Sequence, residues 1–188
     1  TARIYAPEQW GSLEKFSKFY SGTYDFNELG KRSVSGAISH FHKGLVLRDL
    51  ALKLIPNLEA DEHELNKHGY TNAINSKELS AVVEHVILEL YSSVDCTRKV
   101  ITEIYSKYRG IPKSTRKYFK KIKDGDIDES FPEQLVIAVT EATWYDDFRR
   151  IRDELTHLDT GSCLKDRDTG KIRYMHTGIN IDGKNLII

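Results

Sequence analysis

The chain of 188 residues carries 28 Lys+Arg against 28 Asp+Glu and has a pI near 7. Zero net charge argues against a protein whose whole surface attracts nucleic acid, while leaving room for a local basic patch. At this length a core forms without disulfide or metal support, and no apolar run approaches the roughly 20 residues that cross a bilayer.

Charged residues at 30%, hydrophobic ones at 39% and only 4 Pro fit a soluble, mostly helical domain. Cys96 and Cys163 lie far apart without metal-ligand spacing, so a reducing, cytoplasmic setting is expected. The chain opens on Thr1 without methionine or a signal-peptide core and closes on an apolar Leu-Ile-Ile. Residues missing upstream and a boundary near the end are expected from that pattern.

In chain order, Pro7–Tyr20 places Trp10, Leu13, Phe16 and Phe19 at helical spacing, with Gly22 as its stop. The segment Gly36–Ile55 repeats the pattern with Ile38, Phe41, Leu45, Leu52 and Ile55, and Pro56 closes it. Residues 56–76 are polar and read as a long loop or insertion. A long helix is predicted from Ser76, as N-cap, to Tyr108. Its apolar stripe runs through Leu79, Val83, Val86, Leu90, Val94, Ile101, Ile104 and Tyr108, and Gly110 and Pro112 end it. A short basic helix, Lys113–Lys123, precedes an acidic loop with Gly125. One further helix is predicted from Phe131 to Leu158, with Pro132 in its first turn and Gly161 as its stop. In KIRYMHTGINIDGKNLII the texture alternates, and Gly178 and Asp182-Gly183 are turn signals for a small β-hairpin or meander. The expected fold is mainly all-α: a four- to five-helix up-and-down bundle over residues 1–160, with 161–188 as a small C-terminal β-hairpin appendage of the same domain.

The stretch IRDELTHLD, Ile151–Asp159, carries the chemistry. On a helical wheel Phe148 and Leu155 nearly coincide, with Trp144, Ile151 and Leu158 beside them, so that side is core. Arg152 falls on the margin of this face, Arg149 and Asp153 farther round, and His157 nearly opposite the core. Asp153 and His157 are four apart and share a face. Arg152 and His157 are five apart, which turns them roughly 140° away from each other on a regular helix. To act on one phosphate, either the helix loosens before His157 or a second copy supplies the missing partner across a two-fold axis.

IRDELTH resembles the R-[N/D/H]-x-x-x-H signature of the HEPN superfamily, helical nucleotide-binding domains of higher eukaryotes and prokaryotes. The resemblance covers roughly residues 35–160 in its succession of helices, and the β tail lies outside it. It implies a helical homodimer with two such motifs facing each other in a cleft. Many members are metal-independent endoribonucleases of toxin–antitoxin, phage-defence or RNA-processing systems, and an antitoxin or other protein partner follows from that. Others only bind RNA, nucleotides or proteins. Asp153 stands where the family more often carries Asn, and an aspartate repels a scissile phosphate.

The residue types suit RNA cleavage without a metal or other cofactor, which needs a proton acceptor, a proton donor and positive charge on the phosphate oxygens. Histidine exchanges protons near neutral pH, so His157 is the candidate acid or base. Arg152 offers a planar, permanently charged fork for phosphate, and Asp153 would orient His157. Arg149 and Arg150 add positive field beside the motif.

In KSTRKYFKKIK, Lys113, Arg116, Lys117, Lys120, Lys121 and Lys123 surround Tyr118 and Phe119. The segment is either a track for an RNA backbone or a solvated face with its aromatics packed inward. His63 and His68 are five apart, not the i, i+4 pair that presents two ligands on one face, and His40 and His42 point apart around Phe41, so no metal site is expected. Asp95 and Cys96 interrupt the long apolar stripe, either facing a cleft or satisfied by a neighbouring helix. Two rival readings stand beside the ribonuclease: a non-catalytic module binding RNA, nucleotide or protein, and a structural bundle in which Arg152 and His157 are merely solvated.

Overall fold

The computed structural model describes residues 15–16, 21–108, 110–166, 168–181 and 184–187. It is mainly α-helical with a short antiparallel sheet at the C-terminal end, as the sequence pattern predicts. Among the described residues the helices are α1 (Glu28–Leu54), α2 (Leu58–His68), α3 (Ile74–Ile104), α4 (Thr115–Lys123), α5 (Glu133–Glu141) and α6 (Tyr145–His157). The strands are β1 (Ser162–Lys165), β2 (Ile172–Ile181) and β3 (Lys184–Ile187). Two compact units share the chain: residues 1–42 with 92–143, and residues 43–91 with 144–188. Of the expected first helix, Trp10, Leu13 and Phe19 lie outside the described residues, as do Asp182 and Gly183.

In the first unit, Phe26, Val34 and Val100 form a buried cluster, with Phe16 and Ile104 packed against it. Helix α1 begins at Glu28, earlier than the predicted Gly36. The reason is Asn27, whose carboxamide oxygen accepts from the Gly30 N–H at 2.8 Å and caps the first turn. Two glycines in the N-terminal part of this helix are packing positions. A Cβ on Gly30 would sit 2.9 Å from the Phe26 ring, and one on Gly36 would sit 2.9 Å from Cys96 Sγ.

In the second unit, residues 58–68, expected as loop, form α2. Leu58 is buried, Glu59 and Asp61 occupy the first turn, and Lys67 and His68 occupy the last. Those charges complement the helix dipole. Gly69, at φ 75°, closes the helix by donating its N–H to the Leu65 carbonyl. Helix α3 begins at Ile74, and Ser76 is not its cap. Asp61 takes that role, accepting from the Asn75 and Ser76 backbone N–H groups at 3.3 and 2.8 Å. Ser76 and Ser80 instead serve β1: Ser76 Oγ donates to the Cys163 carbonyl at 2.5 Å, and Cys163 N–H donates to Ser80 Oγ at 2.7 Å. The sheet has the order β1-β2-β3, antiparallel throughout, and is thus a three-stranded meander. Its Cys163 and Tyr174 pack with Leu58 and Leu79, and Leu155 of α6 lies against that cluster.

The single helix predicted over Phe131–Leu158 is two. Ala142 sits at φ −73°, ψ 65°, and Thr143 N–H donates to the Glu141 carbonyl at 2.7 Å. That is an inverse γ-turn. It uses neither Gly nor Pro, and α6 starts afresh with Asp146 and Asp147 in its first turn.

Candidate nucleic-acid interface

Helix α6 is held on its inner side by aromatic residues. Tyr145 is fully buried, its ring stacks on that of Tyr91 in α3 at 6.4 Å, and the two hydroxyls are 3.3 Å apart. Phe148 packs against the same Tyr91 ring at 5.8 Å. The wheel extends to this face only between its ends: Trp144, which precedes the helix, and Leu158, which follows it, are 52% and 75% exposed. Leu158 leaves helical geometry at φ −125°, ψ −73°, so the periodicity that placed it in the core no longer applies.

Arg152 lies on the margin of this inner face. Its guanidinium carbon sits 4.0 Å from the centroid of the Tyr91 ring, a cation–π contact that helps to fix the head of the side chain. Asp153 does not reach His157. Its Oδ2 accepts from Arg149 Nη1 at 2.6 Å, while its Oδ1 pairs with Arg152 Nη1 at 3.0 Å. The expectation that Asp153 orients the imidazole is therefore corrected. Arginine at i−4 and histidine at i+4 are both within reach, and the carboxylate takes the permanently charged partners. Arg150 pairs separately with Asp147 at 3.1 Å. The Nε atoms of Arg149, Arg150 and Arg152 are buried, with no hydrogen-bond partner among the described residues.

His157 is the last residue of α6 and is exposed, and no interaction engages its side chain among the described residues. Since α6 stays helical through His157, Arg152 and His157 of one chain remain turned apart. Beyond it, the chain is fixed by residues that the sequence pattern did not single out. His176 is buried, with Nε2 placed to donate to the Asp159 carbonyl at 2.9 Å and Nδ1 accepting from Gly178 N–H at 3.0 Å. Tyr174 Oη donates to Glu84 at 2.6 Å and accepts from Gly161 N–H at 2.8 Å. Burial first, and the Glu84 hydrogen bond second, push the Tyr174 phenol far up. Gly161 is thus a close-approach residue at the start of β1, not the stop of a helix. The sequence signal was faint: alternation around Tyr174 and His176 marks a strand, not the loop it anchors.

The basic helix α4 belongs to the first unit. Ser114 caps it, accepting from the Lys117 N–H. Arg116, Lys117 and Lys120 are exposed, whereas Lys121 donates to the Gly110 carbonyl at 3.1 Å and lies 3.9 Å from Asp126. Tyr118, Phe119 and Ile122 are buried, so no aromatic of this helix offers a face for base stacking. Asp95 and Cys96 are accounted for within the unit. Thr115 Oγ1 donates to Asp95 and accepts from Arg98 Nε, and Cys96 packs on Gly36.

The Tyr118 hydroxyl is buried without a hydrogen-bond partner, and burial raises its pKa to about 12. An acid whose folded pKa exceeds its unfolded value of roughly 10 contributes stability below pH 10 that is lost as pH climbs towards 12. Tyr118→Phe should flatten that alkaline loss and leave neutral-pH stability equal or slightly higher, since an orphan hydroxyl is removed. Denaturant titration of both proteins from pH 7 to 11 checks it, and parallel pH profiles would refute it.

Among the described residues no three His, Cys, Asp or Glu side chains converge where a metal ion would sit, and no helix is long and apolar enough to cross a membrane. Comparison of the chain with protein-family models, with curated proteins and with solved structures finds no match.

Proposed function

We propose that this is a helical RNA-binding protein that acts as a homodimer and cleaves RNA without a metal ion, of the toxin, phage-defence or RNA-processing kind. Arg152 holds the phosphate and His157 moves the proton. The observation that carries this reading is the pairing of a preset guanidinium on Tyr91 with an exposed, unengaged histidine five residues later. A regular α6 favours the dimer, because only a second copy brings an arginine and a histidine to one phosphate. Arg116, Lys117 and Lys120 belong to the same reading as contacts to backbone phosphates. An antitoxin or other protein partner and a cytoplasmic setting belong to the same reading.

A second reading, binding without cleavage, is favoured by Asp153. It neutralises both Arg149 and Arg152 in a helix whose own sequence already carries Asp146, Asp147 and Glu154.

The test is incubation of purified protein with a mixed RNA substrate in excess EDTA, beside His157→Ala. Cleavage by the wild type that vanishes in the variant supports the ribonuclease, while intact RNA in both lanes favours the binding module. A strict monomer at micromolar concentration sinks the two-motif site.

A further inference from the structure

Asp153 places its two oxygens on two different guanidinium groups, at 2.6 Å from Arg149 and 3.0 Å from Arg152. This is the position that two non-bridging oxygens of a phosphodiester would take between the same forks. The arginines do not depend on the carboxylate for their placement. Arg152 rests on Tyr91, and the side chains of Arg149 and Arg152 are only 21% and 25% exposed, with their Nε atoms buried. Asp153 is the more accessible member at 37%. Its short side chain needs only a rotamer change to move into water. Arg150 does not compete, because Asp147 holds it.

We infer that Asp153 is a built-in counter-anion of the RNA site: it occupies Arg149 and Arg152 in the free protein and must be displaced by the incoming phosphate. The inference rests on the reading of α6 as the RNA-facing helix, and it deepens that reading by naming what sets the affinity. It replaces a role in orienting His157 with one in restraining the arginines. It also has a consequence that simple charge repulsion lacks. An arginine already neutralised by Asp153 holds no condensed anion from solution, so binding there releases none. Freed of Asp153, the two arginines recruit solution anions that RNA must expel. By mass action the slope of log K against log salt then steepens by about one for each anion expelled, beside the cations that the RNA releases in every variant.

The experiment titrates wild type, Asp153→Asn, Asp153→Ser and Asp168→Asn into a fluorescein-labelled 2′-O-methyl oligouridylate, which cannot be cleaved through its 2′ position. Anisotropy is read across a salt series, with circular dichroism confirming the fold of each protein. Asp168 is exposed in the loop before β2 and controls for the loss of one negative charge. The expected result is binding about tenfold tighter for Asp153→Asn, a salt slope steeper by about one unit, and a change under about twofold for Asp168→Asn. Asp153→Ser carries the test if the amide variant misfolds. Wild type and Asp153→Asn binding equally well, or Asp153→Asn and Asp168→Asn improving alike, overturns the counter-anion and leaves RNA binding standing. No binding by any of the four proteins at low salt overturns both.

Discussion

Gly161→Ala is expected to cost about 3 kcal/mol or more, placing it among the most damaging single-methyl changes available in this chain. A Cβ at that position would lie 2.3 Å from Tyr174 Cζ, 2.6 Å from Tyr174 Oη and 2.6 Å from the Met175 carbonyl oxygen. The last is backbone of β2, which is paired on both sides, to β1 and to β3, and cannot yield locally. Moving the 159–161 segment away instead breaks the Gly161 N–H bonds to Glu84 and Tyr174, at 3.0 and 2.8 Å. The Glu84–Tyr174 pair is then left half satisfied beside the Leu58–Leu79–Cys163 cluster. For a chain of this size the cost corresponds to a fall in Tm of about 6–12 °C. Gly22→Ala is the control, because its Cβ meets nothing within 4 Å, and it should melt with the wild type. Thermal denaturation followed by circular dichroism reads both, and a Gly161→Ala protein melting within a degree of the wild type would show that the loop yields freely.

How much of this was legible in the sequence differs from helix to helix, for identifiable reasons. The basic helix was legible as a short lysine-rich run between Pro112 and Gly125, although it begins at Thr115, capped by Ser114, and not at Lys113. The position of Arg152 at the edge of a core face was legible from periodicity alone, yet its platform was not. Tyr91 sits one residue off the long stripe of α3 and could have faced either way. Helix α2 was missed because only Leu58 and Leu65 are large and apolar there, and its boundaries rest on charge placement and Gly69. The break before α6 was missed because an inverse γ-turn at Ala142 needs no special residue. The partner of Asp153 was undecidable in principle. Helical spacing offers Arg149 and His157 equally, and the adjacent Arg152 enters only through its bend toward the carboxylate.

If the proposed site is composite, His157→Ala and Arg152→Ala should fail differently and then rescue each other. Proton transfer by a positioned side chain contributes roughly 10²–10⁴ in rate. His157→Ala should therefore lose about that factor in RNA cleavage while binding the 2′-O-methyl oligouridylate within about twofold of the wild type. Its imidazole holds nothing in the described structure, so stability should not change. Arg152→Ala should lose about 10²–10³ in cleavage, the scale of removing one charge-stabilising donor, and should also bind more weakly. On a regular helix the two residues of one chain diverge by roughly 140°, so each active site would take Arg152 from one copy and His157 from the other. Mixing equal amounts of the two inactive variants under conditions that allow subunit exchange makes half of the dimers mixed. Each mixed dimer has one site with both residues intact and one with neither, so about a quarter of wild-type activity should return. Recovery near that level places the two residues of a site on different chains. Exchange shown by labelled subunits without any recovery would instead put arginine and histidine in the same chain's site, and α6 would have to unwind before His157 for cleavage to occur.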